Sequence, residues 1–232
     1  MPARLSDHCW AIELRGVNAY LAADEPGAKG GERVLTLIDT GTPLDARTLA
    51  REIEATGHRV GDVERVLLTH YDLDHVGGLG RLDLEGATVY VGMPDVDYLT
   101  GAASPPVSTR KGALQRALAP LARAPRVAVE PVADGDRVGS FTVYETPGHT
   151  PGHVAYVSDP LSAAFVGDLV VERDGDLTPS PWALSYDTDA VRESIHDLAE
   201  RMPAVEVLGM GHGVPFARGG SVRLAELGER IE

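Results

Sequence analysis

At 232 residues with 43% apolar content, the chain has apolar side chains enough for one substantial core, so a single domain over residues 1–232 is expected. A formal charge of −14, with Lys29 and Lys111 the only lysines, leaves no basic footprint for gripping phosphates and argues against nucleic acid as a partner. The lone cysteine, Cys9, excludes a disulfide framework and a cysteine-held zinc, so any metal must rest on histidine and carboxylate.

No apolar run approaches the roughly 18 residues of a membrane span, and the opening MPARLSDHCW lacks the basic-then-apolar layout of a secretory signal; a cytoplasmic protein is the expectation. In chain order, Cys9–Leu14 and Val17–Ala22 flank a turn at Gly16, and Val34–Ile38 follows a loop holding Lys29, giving a strand meander. Thr42-Pro43-Leu44-Asp45 reads as a helix start with Thr42 as cap, Leu49 and Ile53 sharing a face and Gly57 ending the helix. Further strands are expected at Val63–Leu68, Ala87–Gly92, Arg126–Val132, Phe141–Glu145, Val154–Val157, Ala163–Val166 and Val205–Gly209. Helices are expected over Lys111–Arg123 and over Asp187–Met202, capped by Asp187 or Thr188, with a closing helix near Val222–Ile231. Thr100–Thr109 and Asp174–Ser185 read as exposed loops.

The informative pattern is where His and Asp fall relative to these strands. Apolar runs lead directly into His70, His149, Asp168 and His212. In layered α/β proteins functional side chains gather beyond strand C-termini, so four such clusters converge on one edge. The run His70-Tyr71-Asp72-Leu73-Asp74-His75 alone supplies four metal-competent side chains, too many for one tetrahedral ion once His149, Asp168 and His212 are added, which implies two ions. Paired divalent metals generate a hydroxide at neutral pH and polarise a carbonyl or phosphoryl oxygen, which is hydrolysis without a protein nucleophile.

The segments Thr69-His70-Tyr71-Asp72-Leu73-Asp74-His75-Val76-Gly77-Gly78, Thr146-Pro147-Gly148-His149-Thr150-Pro151-Gly152-His153, Gly167-Asp168 and Gly211-His212-Gly213, with Asp39-Thr40-Gly41 upstream, resemble the signature motifs of the metallo-β-lactamase superfamily over about residues 10–215. The resemblance implies an α/β fold, a four-layered αββα sandwich. It further implies one metal on His70, position 72 and His149, another on Asp74, His75 and His212, and Asp168 bridging them. Asp39 would orient a ligand by hydrogen bonding, and His153 matches a position that is not a ligand.

One departure matters: the family pattern has histidine where this chain has Asp72. The extra carboxylate makes the site harder, so zinc is the expected metal with a shift towards manganese or iron; alternatively Asp72 reaches the first ion poorly and leaves that position weak or empty. The bridging hydroxide is expected to attack a small carboxylic ester, thioester or lactone, with Asp74 or the released water handling the proton. A phosphodiesterase or nuclease, and a non-hydrolytic metal-binding or redox protein, remain alternatives on this scaffold.

Accessory features narrow the substrate. Only about 20 residues follow His212, too few for the helical domain that glyoxalase II enzymes append. Acyl-homoserine lactonases place a tyrosine three residues after the bridging Asp, where this chain has Val171. Tyr71, Trp182 and Tyr186 are candidate walls of a substrate pocket. Arg110, Lys111, Arg116 and Arg123 are the one modest basic cluster, read as a solvated helix face, while His8, His58 and His196 are read as surface or boundary residues. A small-molecule substrate is expected, and self-association is compatible with the family.

Overall fold

Period-two alternation in the strands decides the architecture. Along the strand Val63–Leu68, Val66 and Leu68 enter one apolar cluster and Leu67 another on the opposite face, and all three are fully buried. A sheet buried on both faces must be covered on both. The computed structural model describes residues 1–26 and 33–231; the loop carrying Lys29 lies outside these described residues.

The first sheet comprises β1 (Ala3–Arg4), β2 (Cys9–Glu13), β3 (Asn18–Pro26), β4 (Arg33–Ile38), β5 (Val63–Leu68), β6 (Thr88–Gly92) and β7 (Ala128–Val132), neighbours in that order. Its strands are antiparallel from β1 to β4 and parallel from β4 to β7. The second sheet is built from β8 (Arg137–Val138), β9 (Phe141–Glu145), β10 (Val154–Ser158), β11 (Ala163–Phe165) and β14 (Val207–Gly209), arranged β14-β11-β10-β9-β8. A hairpin of β12 (Val170–Arg173) and β13 (Asp176–Pro179) stands apart. The helices are α1 (Ala46–Ala55), α2 (Leu73–Val76), α3 (Asp95–Thr100), α4 (Arg110–Leu118), α5 (Thr188–Arg201) and α6 (Gly220–Arg230).

Three apolar layers separate four structural ones. Leu49 and Ile53 of α1 pack with Ile12, Leu21, Leu37 and Leu68 on the outer face of the first sheet. Tyr20, Leu67, Phe141, Tyr156 and Phe165 fill the space between the sheets. Val191, Ile195 and Leu198 of α5, with Leu224 and Leu227 of α6, cover Ala155, Val157 and Leu208 on the outer face of the second. The order is helix, sheet, sheet, helix: the expected αββα sandwich.

Three local expectations need correction. The first helix starts at Ala46 rather than around Thr42, because the Thr42 backbone amide and hydroxyl both donate to Asp45 Oδ2, at 3.0 and 2.5 Å, and hold the preceding turn out of the helix. The helix over α4 stops at Leu118, and Pro120 sits in the single tight turn that follows at Ala119–Leu121. The supposed loop from Asp174 begins as a hairpin, since Asp174 and Gly175 take φ of 54° and 90° and close a two-residue turn between β12 and β13. Asp187 caps α5, accepting from the amides of Asp189 and Ala190.

Candidate metal centre

The motif residues meet where the two sheets share an edge. His70 follows β5, α2 carries Asp74 and His75, His149 sits in the turn between β9 and β10, Asp168 follows β11, and His212 follows β14. Two glycines make the approach feasible. Gly148 has φ of 131°, and a Cβ there would collide with the backbone of Val191 in α5; a Cβ on Gly211 would strike the carboxylate of Asp168.

Each imidazole is oriented from outside the cluster through Nδ1. Asp39 Oδ2 lies 2.8 Å from His75 Nδ1, Ser180 Oγ lies 2.7 Å from His149 Nδ1, and His212 Nδ1 donates to the Gly16 carbonyl at 2.6 Å. Thr69 Oγ1 donates to Asp39 Oδ2 at 2.8 Å and thereby offers its lone pair to His70 Nδ1 at 3.0 Å. With the outer nitrogens engaged, all the Nε2 atoms point inward, which is how outer hydrogen bonds fix the tautomer of a metal-binding histidine. His153 differs: Thr146 Oγ1 lies 2.8 Å from its Nδ1 and the Asp168 amide donates to its Nε2 at 3.2 Å, so both ring nitrogens are engaged and Nε2 holds the Asp168 backbone.

The donors fall into groups whose ligand atoms lie within 4.8 Å of one another: His70 with Asp72 and His149; Asp74 with His75 and His212; and His70 with His75 and Asp168. His70 Nε2, His75 Nε2 and Asp168 Oδ1 are buried without a hydrogen-bond partner. A buried polar atom with no partner is costly, and three converging here fit a bound cation. Electrostatics agree. Burial would raise the Asp168 carboxyl, but His75, His212 and His149 override it and hold it well below the usual carboxylate range. Burial would lower His75, yet Asp168 and Asp39 hold it well above the usual imidazole range, so without metal the cluster recruits a proton that an ion must displace.

The donors of the first group have a partner that sequence reasoning missed. Lys111 is a buried residue, not part of a solvated helix face: its Nζ lies 2.5 Å from Asp72 Oδ2 and 2.5 Å from His149 Nε2. One turn further along α4, Gln115 Nε2 donates to Asp72 Oδ1 at 2.6 Å and to the Tyr71 carbonyl at 2.8 Å. The signal that could have found them is the i, i+4 spacing of Lys111 and Gln115, which aligns two polar side chains on one helical face. Burial would raise the Asp72 carboxyl, but Lys111, His149 and His70 hold it well below the usual range. Burial, reinforced by Lys111, holds His149 down at about 4, so its Nε2 is a neutral acceptor. Asp95 was missed as well: fully buried, it accepts from the Tyr71 amide at 2.8 Å, Thr150 Oγ1 at 2.7 Å and the Gly152 amide at 3.1 Å, tying the two histidine motifs together.

A cavity of about 480 Å³ opens over the cluster, with Asp72, Asp74, His149, Asp168 and His212 in its floor and Leu73, Val76, Leu114, Leu118 and Leu184 in its walls. Of the expected pocket residues, Tyr71 lines it. Trp182 and Tyr186 do not: Trp182 is 69% exposed with the Arg110 guanidinium 5.8 Å from its ring, and the Tyr186 hydroxyl donates to Gln115 Oε1 at 2.5 Å. Their neighbours Ala183 and Leu184 provide the wall instead. Among the described residues no helix is long and apolar enough to cross a membrane.

A family model described as the metallo-beta-lactamase superfamily matches residues 12–212. YflN of Bacillus subtilis strain 168, named a probable metallo-hydrolase, is 30% identical over 97% of this chain and 90% of its own. A hydroxyacylglutathione hydrolase of Klebsiella pneumoniae is 32% identical over 46% of this chain and 33% of its own. Among solved structures, TTHA1623 in a di-iron-bound form aligns with a TM-score of 0.65 at 27% identity, over 92% of this chain and 97% of that one. The metallo-beta-lactamase family protein TTHA1429 of Thermus thermophilus aligns with a TM-score of 0.68 at 22% identity, over 98% and 80%.

Proposed function

The chain belongs to the metallo-beta-lactamase superfamily of metallo-hydrolases, and from that membership we propose that it hydrolyses a small carboxylic ester, thioester or lactone. The observation that carries this reading is the placement of the inward-facing donors in the floor of a cavity whose walls are leucine and valine. A divalent ion held there, zinc foremost with manganese or iron as alternatives, would supply hydroxide at neutral pH and polarise the carbonyl oxygen whose carbon is attacked.

The chain's own residues do the rest. Leu114, Leu118 and Leu184 offer an apolar acyl or alkyl group a surface to bury against, and Tyr71 closes the wall beside the motif. Asp74, partly exposed and 3.5 Å from His212 Nε2, is placed to take a proton from water and return it to the leaving group. Asp39, through His75, fixes the direction of one ligand nitrogen. Of the two ions that the donor count implies, the one assigned to Asp74, His75, His212 and Asp168 meets no lysine or arginine among the described residues, whereas the one assigned to His70, Asp72 and His149 meets Lys111.

The test is turnover of the purified chain on an ester, a thioester, a lactone and bis-p-nitrophenyl phosphate, before and after chelation. Hydrolysis of a carbonyl substrate that disappears with the metal and in His75→Ala is expected. Cleavage of the phosphodiester alone would replace this reading with the nuclease class, and inactivity on every substrate under zinc, manganese and iron would replace it with a binding or redox role.

A further inference from the structure

We propose that the Lys111 ammonium is the permanent cation of the first metal position, so that the chain holds one exchangeable divalent ion, at Asp74, His75, Asp168 and His212. The inference rests on the reading of this cluster as a metal centre and is independent of which substrate is hydrolysed.

The ammonium engages two of the three ligand atoms that the first position offers. Nζ is 2.5 Å from both Asp72 Oδ2 and His149 Nε2, and these two acceptors are 3.1 Å from each other. Asp72 has no spare oxygen, because Oδ1 accepts from Gln115 Nε2 at 2.6 Å. Gln115 is itself fixed, donating to the Tyr71 carbonyl and accepting from the Tyr186 hydroxyl. Lys111 and Gln115, one turn apart on α4, therefore clamp the two oxygens of one carboxylate from the same helix face. Thr109 caps that helix, accepting from the Gly112 amide, which fixes the turn on which Lys111 sits.

Charge explains why the motif departs from the family pattern at this position. A buried ammonium requires a carboxylate partner, and an imidazole at position 72 would leave it uncompensated. Aspartate at 72 and lysine at 111 thus form one coupled pair, 39 residues apart in sequence. The second position has no such tenant: among the described residues, the ion-pair partners of Asp74 and Asp168 are histidines. Because Lys111 also lines the cavity, a fixed positive charge faces the substrate where a second Lewis acid would otherwise stand.

The experiment is a metal count by elemental analysis and calorimetric zinc titration of the metal-depleted chain, its fold checked by circular dichroism. The wild type is expected to bind about one zinc, and Lys111→Met, which removes the ammonium and keeps the side-chain volume, about two. Should Lys111→Met fail to fold, Asp74→Asn decides: it leaves the Lys111–Asp72 pair intact and weakens or loses the single zinc if the ion lies in the second position. Two tightly bound ions in the wild type, a folded Lys111→Met that still binds only one, or a single ion held at wild-type affinity in Asp74→Asn would each overturn the proposal. Absence of turnover with the metal counts as expected would sink the hydrolase reading and leave the role of Lys111 standing.

Discussion

Asp39 Oδ2 lies 2.8 Å from His75 Nδ1, while the other oxygen of the same carboxylate accepts from the Thr69 amide at 2.9 Å. One side chain from the end of β4 thereby orients a histidine on α2 and the residue that precedes His70. Asp39 has φ of 56°, a left-handed conformation that Asp and Asn tolerate better than other side chains, so Asp39→Asn changes the charge with little demand on the backbone. Zinc affinity is expected to fall about 10–100-fold, and the metal-free melting temperature to fall as well, because the carboxylate that helps hold the His75 proton is lost and the new amide NH2 faces only donors. Calorimetric titration checks this, and wild-type affinity in the variant would show that the carboxylate charge is dispensable.

Tyr156 crosses between the sheets. Its ring is fully buried, and its hydroxyl donates to the carbonyls of Leu68 on β5 and Tyr90 on β6, each at 3.1 Å. Leu68 stands two residues before His70, so this bond pins the strand end from which the motif emerges. Tyr156→Phe leaves the carbonyls in place and removes their shared donor, at an expected cost of about 1–2 kcal/mol in urea unfolding of the metal-free chain. An unchanged unfolding midpoint would show that the two carbonyls find other donors.

Much of this was legible in the sequence, for a physical reason. A ligand that follows an apolar strand is positioned by local chemistry, so His70, His149, Asp168 and His212 could be read from the runs before them. Lys111 was harder to read: the i, i+4 spacing with Gln115 marks a polar helix face, but its partner Asp72 lies 39 residues away, and such a face looks alike whether it meets water or a carboxylate. The hairpin of β12 and β13 was readable and was missed: Asp174-Gly175 is a strong two-residue turn signal, obscured by the prolines at 179 and 181. Trp182 invited a pocket role as an aromatic in a loop, yet the loop turns it outward and brings Leu184 to the cavity.

The apolar wall of α4 yields a selectivity prediction. Leu118 lines the cavity from the turn after Lys111 and Gln115. Leu118→Ala removes part of the surface against which an acyl chain would bury, about 1 kcal/mol, or roughly fivefold in KM, for a substrate long enough to reach it. The shortest substrate should be unaffected, and kcat should hold for both. Kinetics over an acyl-length series separate the outcomes: an equal KM change for every length would remove Leu118 from the binding wall.

Cys9 gives the stability curve an alkaline edge. Burial raises its thiol from 9.0 to about 11, with the Asp24 charge adding to the effect against a hydrogen bond from Ser6. In the unfolded chain the thiol ionises near its ordinary value, so between pH 9 and 11 the unfolded state loses a proton that the folded state keeps. The contribution is therefore complete below pH 9 and disappears as pH rises through 11, a total of about 2–3 kcal/mol. Cys9→Ala loses some packing at every pH and has no thiol to titrate, so the wild-type advantage over this variant should shrink across that window. Comparing the two chains cancels other alkaline titrations, including that of buried Tyr20, whose hydroxyl is raised as well. A constant difference between the two urea midpoints from pH 8 to 11 would mean that Cys9 ionises in the folded chain as readily as in the unfolded one, and that its buried place between the sheets opens at alkaline pH.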